Sequence, residues 1–127
     1  MAGRVVHPNW ALEGKCGIFS IEFPDIGPSV TIIIPTHNNV ALLRPCVESL
    51  AKTTYNNFKV MVVDNDSDDL ETLSYLAELR LRENVVVERI SNAGMPFSYA
   101  KINNEAVARS TSEFALLLNN DTEIIEP

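Results

Sequence analysis

The chain has 127 residues, a formal net charge of −7 at pH 7, and 46% hydrophobic against 21% charged residues. That length accommodates one domain and that composition excludes a disordered chain. The acidic balance excludes bulk binding to nucleic acid, whose affinity rests on Lys and Arg neutralising phosphates, and leaves open a single nucleotide held through a divalent cation.

Residues 1–29 read as a lead-in segment. Pro8, Gly14, Gly17, Pro24, Gly27 and Pro28 interrupt every period there, and only 17–23 alternates enough for a short edge strand. No apolar signal core is visible, and apolar runs of about five residues fall far short of the ~18 a membrane span needs. The expectation is a cytoplasmic protein with no transmembrane segment in this chain. Cys16 and Cys46 have no metal-ligand spacing and make no disulfide framework; Cys46 reads as a core residue.

Regular structure begins at Val30-Thr31-Ile32-Ile33-Ile34, a β-branched run suited to a strand buried on both faces and ended by Pro35. Val40, Leu43, Val47 and Leu50 then fall at helical spacing, with Pro45 acceptable only in a first turn or at a kink. A strand follows at 58–63. A second helix begins near Asp69, with Asp68 and Glu71 in capping-box spacing and Leu70, Leu73, Leu76 and Leu79 along its buried side. A third strand spans about 85–90, and Gly94 marks a loop. Ile102, Ala106 and Val107 mark a third helix, and 114–118 is a fourth strand. Strands alternating with helices are the βαβ pattern, and right-handed crossovers make the sheet parallel and layered.

Two of these strands run into acidic polar tips, Asp64-Asn65-Asp66-Ser67-Asp68 and Asn119-Asn120-Asp121-Thr122-Glu123. In an α/β protein ligands sit at the carboxyl ends of parallel strands, so both tips and the Pro35-Thr36-His37-Asn38 turn are expected at one cleft. Asp64, at the very end of its strand, suits a rigid acceptor for a ligand's N–H or O–H groups; Asp68 and Asp69 suit helix capping. The second tip offers oxygen ligands for Mg²⁺ or Mn²⁺, or is a polar turn. His37 has no Ser or Cys nucleophile beside it and reads as a turn residue facing solvent or ligand. Lys101 and Arg109 read as a solvated helix face. Asn103-Asn104 is unusual inside a helix, which admits an inward tether to a neighbouring loop.

These segments together resemble the nucleotide-sugar-binding half of the inverting family 2 glycosyltransferases. The stretches that carry the resemblance are Val30 to Asn38, Val62 to Asp68, Asn92-Ala93-Gly94, Ala100 to Asn104, and Leu116 to Glu123. The resemblance implies an α/β fold of the Rossmann-like GT-A type. This is a three-layer sandwich with a mainly parallel sheet, truncated here after a D-x-D-like loop, with residues 30–127 as the nucleotide-sugar-binding part. It implies that Pro35, Thr36, Asn38 and Asp64, with Asp66, hold the base and ribose of a nucleoside diphosphate sugar carrying UDP, dTDP or GDP. Asn104 matches the family asparagine that steadies the site. The D-x-D motif maps onto Asn119-Asn120-Asp121, so Asp121 would hold the divalent metal that bridges the diphosphate. Asn119 replaces the first Asp of that motif, which removes one metal-facing charge.

The implied chemistry is glycosyl transfer to a glycan or other hydroxyl acceptor, with inversion at the anomeric carbon. The carboxylate base of this family follows the D-x-D loop, so it is expected beyond Pro127, and the chain is expected to bind donor without being a competent enzyme by itself. Three other readings compete. A phosphoacceptor receiver domain needs an acidic pair after the first strand, where this chain has Pro35-Thr36-His37-Asn38. A nucleotidyltransferase needs a Gly-rich basic loop there, and Asn39 and its predecessors supply neither Gly nor Lys. A non-catalytic nucleotide-binding or interaction module remains open.

Overall fold

The computed structural model describes residues 8–10, 19–21 and 24–125. Its elements are β1 (Pro8–Trp10), β2 (Phe19–Ile21), β3 (Val30–Thr36), α1 (Val40–Ser49), β4 (Phe58–Asp64), α2 (Leu70–Leu79), β5 (Val85–Arg89), α3 (Tyr99–Arg109) and β6 (Phe114–Leu117). β1 and β2 pair antiparallel as a separate two-stranded sheet. The edge strand expected within 17–23 is therefore present at 19–21 but does not join the main sheet. Cys16 lies outside the described residues.

The main sheet has four parallel strands in the order β5-β4-β3-β6. Its two faces carry separate cores. Ile32, Ile34, Val60 and Val62 pack with Leu43, Cys46 and Val47 of α1 and Tyr75, Leu76 and Leu79 of α2. Ile33, Met61 and Val63 pack with Ile102 and Ala106 of α3. Adjacent strand residues thus serve opposite layers, which is why these strands read as unbroken apolar runs. The expected three-layer α/β architecture is present, and Cys46 is a buried core thiol, raised above its ordinary pKa chiefly by burial.

Pro35 does not end β3. The strand continues to Thr36, with Pro35 in register with Val63. Ile33 O accepts from Leu118 N–H at 2.9 Å and Thr36 O accepts from Asn65 N–H at 2.8 Å. Odd-numbered residues therefore face β6 and even-numbered ones β4. The N–H that Pro35 lacks would point toward β6, beyond the Ile33–Leu117 pair where that ladder stops.

The helices settle where Pro45 lies and correct the buried face of α2. Pro45 sits in the second turn of α1 on its exposed side and not in its first turn, which leaves the second expected placement, inside the helix, and burial of Leu43, Cys46 and Val47 carries the helix past it. In α2 the buried stripe is Thr72, Tyr75, Leu76 and Leu79; Leu70 is 84% exposed and Leu73 is also exposed. Spacings of three, four and seven hold one face of a 3.6-residue helix, whereas four leucines each three apart drift around it. The N-cap is Asp69, accepting from Thr72 N–H at 2.8 Å.

On the α1 side, the strand-facing surface beside β6 is an open apolar groove of about 670 Å³, bordered by Ile26, Tyr55, Phe58, Phe114 and Leu116 among others. No helix of the described residues is long and apolar enough to cross a membrane.

Candidate functional site

Because β4 and β5 lie to one side of β3 and β6 to the other, the loops leaving β3 and β6 diverge. A crevice at such a switch point is the expected ligand site of an open α/β sheet. Two lobes of one cleft lie there. One, of about 310 Å³, is lined by Pro35, Thr36, Asn119, Asn120, Asp121 and Tyr99 together with His37, Asn65 and Phe97. The other, of about 500 Å³, shares those last three residues and adds Asp66, Asn92, Gly94 and Met95.

The loops that form the cleft hold unusual backbone. Asn38, Asn39, Asp66 and Ala93 have φ of 54, 62, 59 and 51°, and Gly94 has 76°. Left-handed backbone is costly for residues other than glycine and is least so for Asn and Asp. All five follow the carboxyl ends of β3, β4 and β5, so strain concentrates where the cleft is built.

Asn38 locks the first loop to the second. Its N–H donates to Ser67 Oγ at 2.8 Å and its Nδ2 to Asp68 Oδ1 at 2.9 Å, while its Oδ1 accepts from the N–H groups of Asp68 and Asp69. Asp64 is only 2% exposed and lies beneath the cleft lining. Its Oδ1 accepts from Ser67 N–H at 2.9 Å, and its Oδ2 is 3.9 Å from Arg89 Nη1. Asp66 faces the cleft, its carboxyl held below the usual range first by the Ser91 hydroxyl and then by Arg89 and the Asn92 N–H.

The third loop is pinned from both sides. Tyr99 Oη donates to Asn119 Oδ1 at 3.2 Å, and Asn120 Nδ2 donates to Thr36 Oγ1 at 3.3 Å. Asp121 is left exposed with no hydrogen bond or ion pair to its carboxylate among the described residues. Asp66 and Asp121 are charged, and no Lys or Arg is among the lining residues. An entering diphosphate would need a cation with it.

Of the residues singled out in the sequence, Pro35, Thr36, Asp66, Asn119, Asn120 and Asp121 therefore meet at one cleft, and Asn38 and Asp64 brace its loops. Asn104 is exposed on α3 and does not line it. Its neighbour Asn103 is the buried one, donating from Nδ2 to Tyr99 O of its own helix and not to a neighbouring loop. Lys101 and Arg109 pair with Glu105 and Glu88 on the surface, as expected of a solvated face. Sequence reasoning missed Met95, Phe97 and Tyr99 as lining residues, and placed Asn65 at the cleft only as part of the first polar tip. The available signal was two aromatics flanking Ser98, the N-cap of α3.

A family model described as Glycosyl transferase family 2 matches residues 31–126. An uncharacterised protein of Sinorhizobium fredii is 42% identical over 119 residues, which is 93% of this chain and 12% of that protein. The O-antigen biosynthesis protein RfbC of Myxococcus xanthus is 37% identical over 113 residues, 86% of this chain and 8% of its own length. The chain thus spans about a tenth of these two relatives. Among solved structures, Staphylococcus aureus TarS 1-349 superposes with a TM-score of 0.62 at 31% identity, over 76% of this chain and 28% of that one. The mannosyltransferase PcManGT from Pyrobaculum calidifontis, solved with GDP-Man and Mn²⁺, gives a TM-score of 0.62 at 20% identity over 80% of this chain and 31% of that one, a likeness of fold.

Proposed function

This chain belongs to glycosyl transferase family 2, and from that membership we propose that residues 30–127 form the part of an inverting glycosyltransferase that binds a nucleoside diphosphate sugar. The observation that carries the reading is the polar cleft at the β3/β6 switch point, whose lining joins Pro35 and Thr36 to Asn119, Asn120 and Asp121. On this reading the base and ribose lie toward the lobe of Asp66 and Asn92, and the diphosphate lies toward Asp121. Asp64 and Asn38 hold the loops that contact the nucleoside, and Asn104 sits on the helix that carries the third loop's tether.

The donor set fits a divalent cation that arrives with its phosphates. Among the described residues no three His, Cys, Asp or Glu side chains converge to hold a metal. A hard cation such as Mg²⁺ takes one or two protein carboxylates and completes its shell with water and phosphate oxygens, which is what a lone Asp121 offers. Held there, Mg²⁺ or Mn²⁺ supplies charge stabilisation for the departing diphosphate. Asn119, bonded to Tyr99, shapes the loop without adding charge.

The reaction on this reading is attack by an acceptor hydroxyl on the anomeric carbon. The new C–O bond forms as the bond to the diphosphate breaks from the opposite face, and the hydroxyl proton passes to a carboxylate base. That base is not assigned to any residue of this chain, which would bind donor without completing transfer alone. The acceptor is proposed to be a growing glycan, in keeping with a relative named for O-antigen biosynthesis, and the setting to be the cytoplasm, with the parent protein peripheral at the inner face of the membrane. Calorimetric titration with UDP, dTDP, GDP and CDP, each with and without Mn²⁺, tests the reading. Metal-dependent binding of at least one is expected, and silence across the series in a folded sample overturns it.

A further inference from the structure

The last backbone bond that ties the end of β6 to β3 is Leu118 N–H to Ile33 O at 2.9 Å. From there to Ile124 the chain has left the sheet and is held by side chains. Tyr99 and Thr36 grip side chains of this loop from the cleft. A second set of groups comes from behind, out of α1 and the single 3₁₀ turn Leu50–Lys52 that continues it, and grips the backbone. Cys46 Sγ donates to Asn119 O at 3.5 Å, and the Thr122 N–H, which closes its own turn on Asn119 O at 3.2 Å, lies against the same sulfur. Ser49 Oγ accepts from Ile124 N–H at 3.0 Å. Lys52 Nζ donates to Ile124 O at 2.9 Å, so Ile124 is held at both polar atoms of its backbone.

Ser49 is the centre of this brace. It is buried, and its one hydroxyl proton goes to Cys46 O at 2.8 Å, an ordinary back-bond for a serine in a helix. With the proton committed there, the oxygen meets Ile124 N–H with a lone pair. The back-bond is local, whereas the bond to Ile124 joins residues 75 positions apart and serves nothing in the helix itself. Cys46, three residues earlier, shares its side of α1.

The two grips flank Asp121, at Asn119 before it and at Ile124 after it. Since the Asp121 carboxylate has no hydrogen bond or ion pair of its own among the described residues, the direction in which it points follows from the backbone that carries it. Hard cations are exacting about where their oxygen ligands lie, Mg²⁺ above all, and a ligand on a loop is only as well placed as the groups that hold the loop.

We infer that Ser49, assisted by Cys46, is a positioning residue for cation binding: from the α1 side it fixes the backbone that aims Asp121 into the cleft. The inference rests on the reading of Asp121 as the metal ligand and adds what holds that ligand in place. Neither Ser49 nor Cys46 lines the cleft, so both act through the loop and not on the donor.

The test reads the Mn²⁺ increment, the factor by which Mn²⁺ raises the affinity of the purified chain for its best binder among UDP, dTDP, GDP and CDP in calorimetry. Ser49→Ala is expected to cut that factor about fivefold or more while the metal-free affinity stays within about twofold of wild type. Ser49→Thr keeps the hydroxyl and is expected to restore most of the increment. Cys46→Ala, a smaller truncation, should lower the increment in the same direction and decides the matter where Ser49→Ala fails to fold. Leu76→Ala, in the core beneath α2, should lose stability and keep the increment. Hydrogen exchange reads the brace without ligand, and the Ile124 amide should exchange about tenfold faster in Ser49→Ala relative to the amides of β3. An increment unchanged in both Ser49→Ala and Cys46→Ala, one lost equally in Leu76→Ala, or unchanged exchange at Ile124 overturns the positioning role and leaves the Asp121 site standing. Absence of any Mn²⁺ increment in the wild type overturns the metal reading of the loop and the positioning role with it.

Discussion

Asn38 and Asp68, thirty positions apart, are joined by a reciprocal pair of hydrogen bonds: Asn38 Nδ2 donates to Asp68 Oδ1 at 2.9 Å, and Asp68 N–H donates to Asn38 Oδ1 at 2.9 Å. The loops after β3 and β4 therefore move as one piece. They are adjacent because β3 and β4 pair in register up to Thr36 and Asp64. An asparagine suits the position twice over, since its amide both donates and accepts and its backbone tolerates φ of 54°.

These two contributions separate by substitution. Asn38→Gly removes the side-chain bonds and relaxes the backbone, and is expected to cost about 1–2 kcal/mol for part-exposed hydrogen bonds. Asn38→Ala removes the same bonds and keeps a Cβ in the left-handed region, adding roughly 1 kcal/mol more. Urea unfolding of the two variants measures the difference. Equal stabilities would show that the left-handed backbone at this position carries no penalty.

The helix α2 gives a contrast between two leucines six residues apart. Leu76 is 1% exposed and Leu70 is 84% exposed. Leu76→Ala is expected to cost about 2–5 kcal/mol through lost burial and a residual cavity. Leu70→Ala should stay within about 0.5 kcal/mol. The same unfolding measurement checks both, and a large loss at Leu70 would place the helix in a different rotation.

That contrast also shows where the sequence was legible. The central strands β3 and β4 announced themselves as apolar runs because both of their faces are buried, whereas β6 was legible from its apolar composition although all four of its residues are exposed. The rotation of α2 was ambiguous because Leu is abundant on both sides of it, and the choice is made by Thr72 and Tyr75 packing inward, which a count of leucines does not register. Asp121 and its amide neighbours were visible as a polar tip following an apolar strand. The Asn65–Asn92 bond was not, because it joins residues 27 positions apart and depends on the β4–β5 register that sets Asp64 beside Arg89. Local composition records which residues are polar, and strand register determines which of them meet.

Acid should weaken the fold through three carboxyls held below their ordinary values. Glu48 is lowered from 4.5 chiefly by Arg82, Asp66 from 3.8 chiefly by the Ser91 hydroxyl, and Asp69 from 3.8 chiefly by the Thr72 backbone N–H. In each case the unfolded chain binds the proton at a higher pH than the folded one. Their stabilisation is therefore fully present above the unfolded values, near pH 5 and upward, and is lost as pH falls through the lower folded values. Unfolding midpoints should be nearly level from pH 7 to about pH 5 and decline below about pH 4. Glu48→Gln should make that decline shallower, since it removes one of the three titrating groups. A decline of unchanged steepness would remove Glu48 from the account.

Asp121 is the residue whose substitution best separates binding from folding. Its neighbours carry the tethers that shape the loop, Asn119 to Tyr99 and Asn120 to Thr36, while its own carboxylate is exposed and unbonded among the described residues. Asp121→Asn preserves size and removes the charge, so the thermal midpoint should hold within about 2 °C. Nucleotide affinity in Mn²⁺ should fall roughly tenfold or more, ~1.4 kcal/mol per factor of ten, because the cation loses the carboxylate this loop presents to the cleft. Affinity measured without metal should change little. Calorimetry with the best-binding diphosphate, with and without Mn²⁺, reads both quantities, and an unchanged Mn²⁺-dependent increment would take Asp121 out of the site and leave the polar-turn reading of this loop in its place.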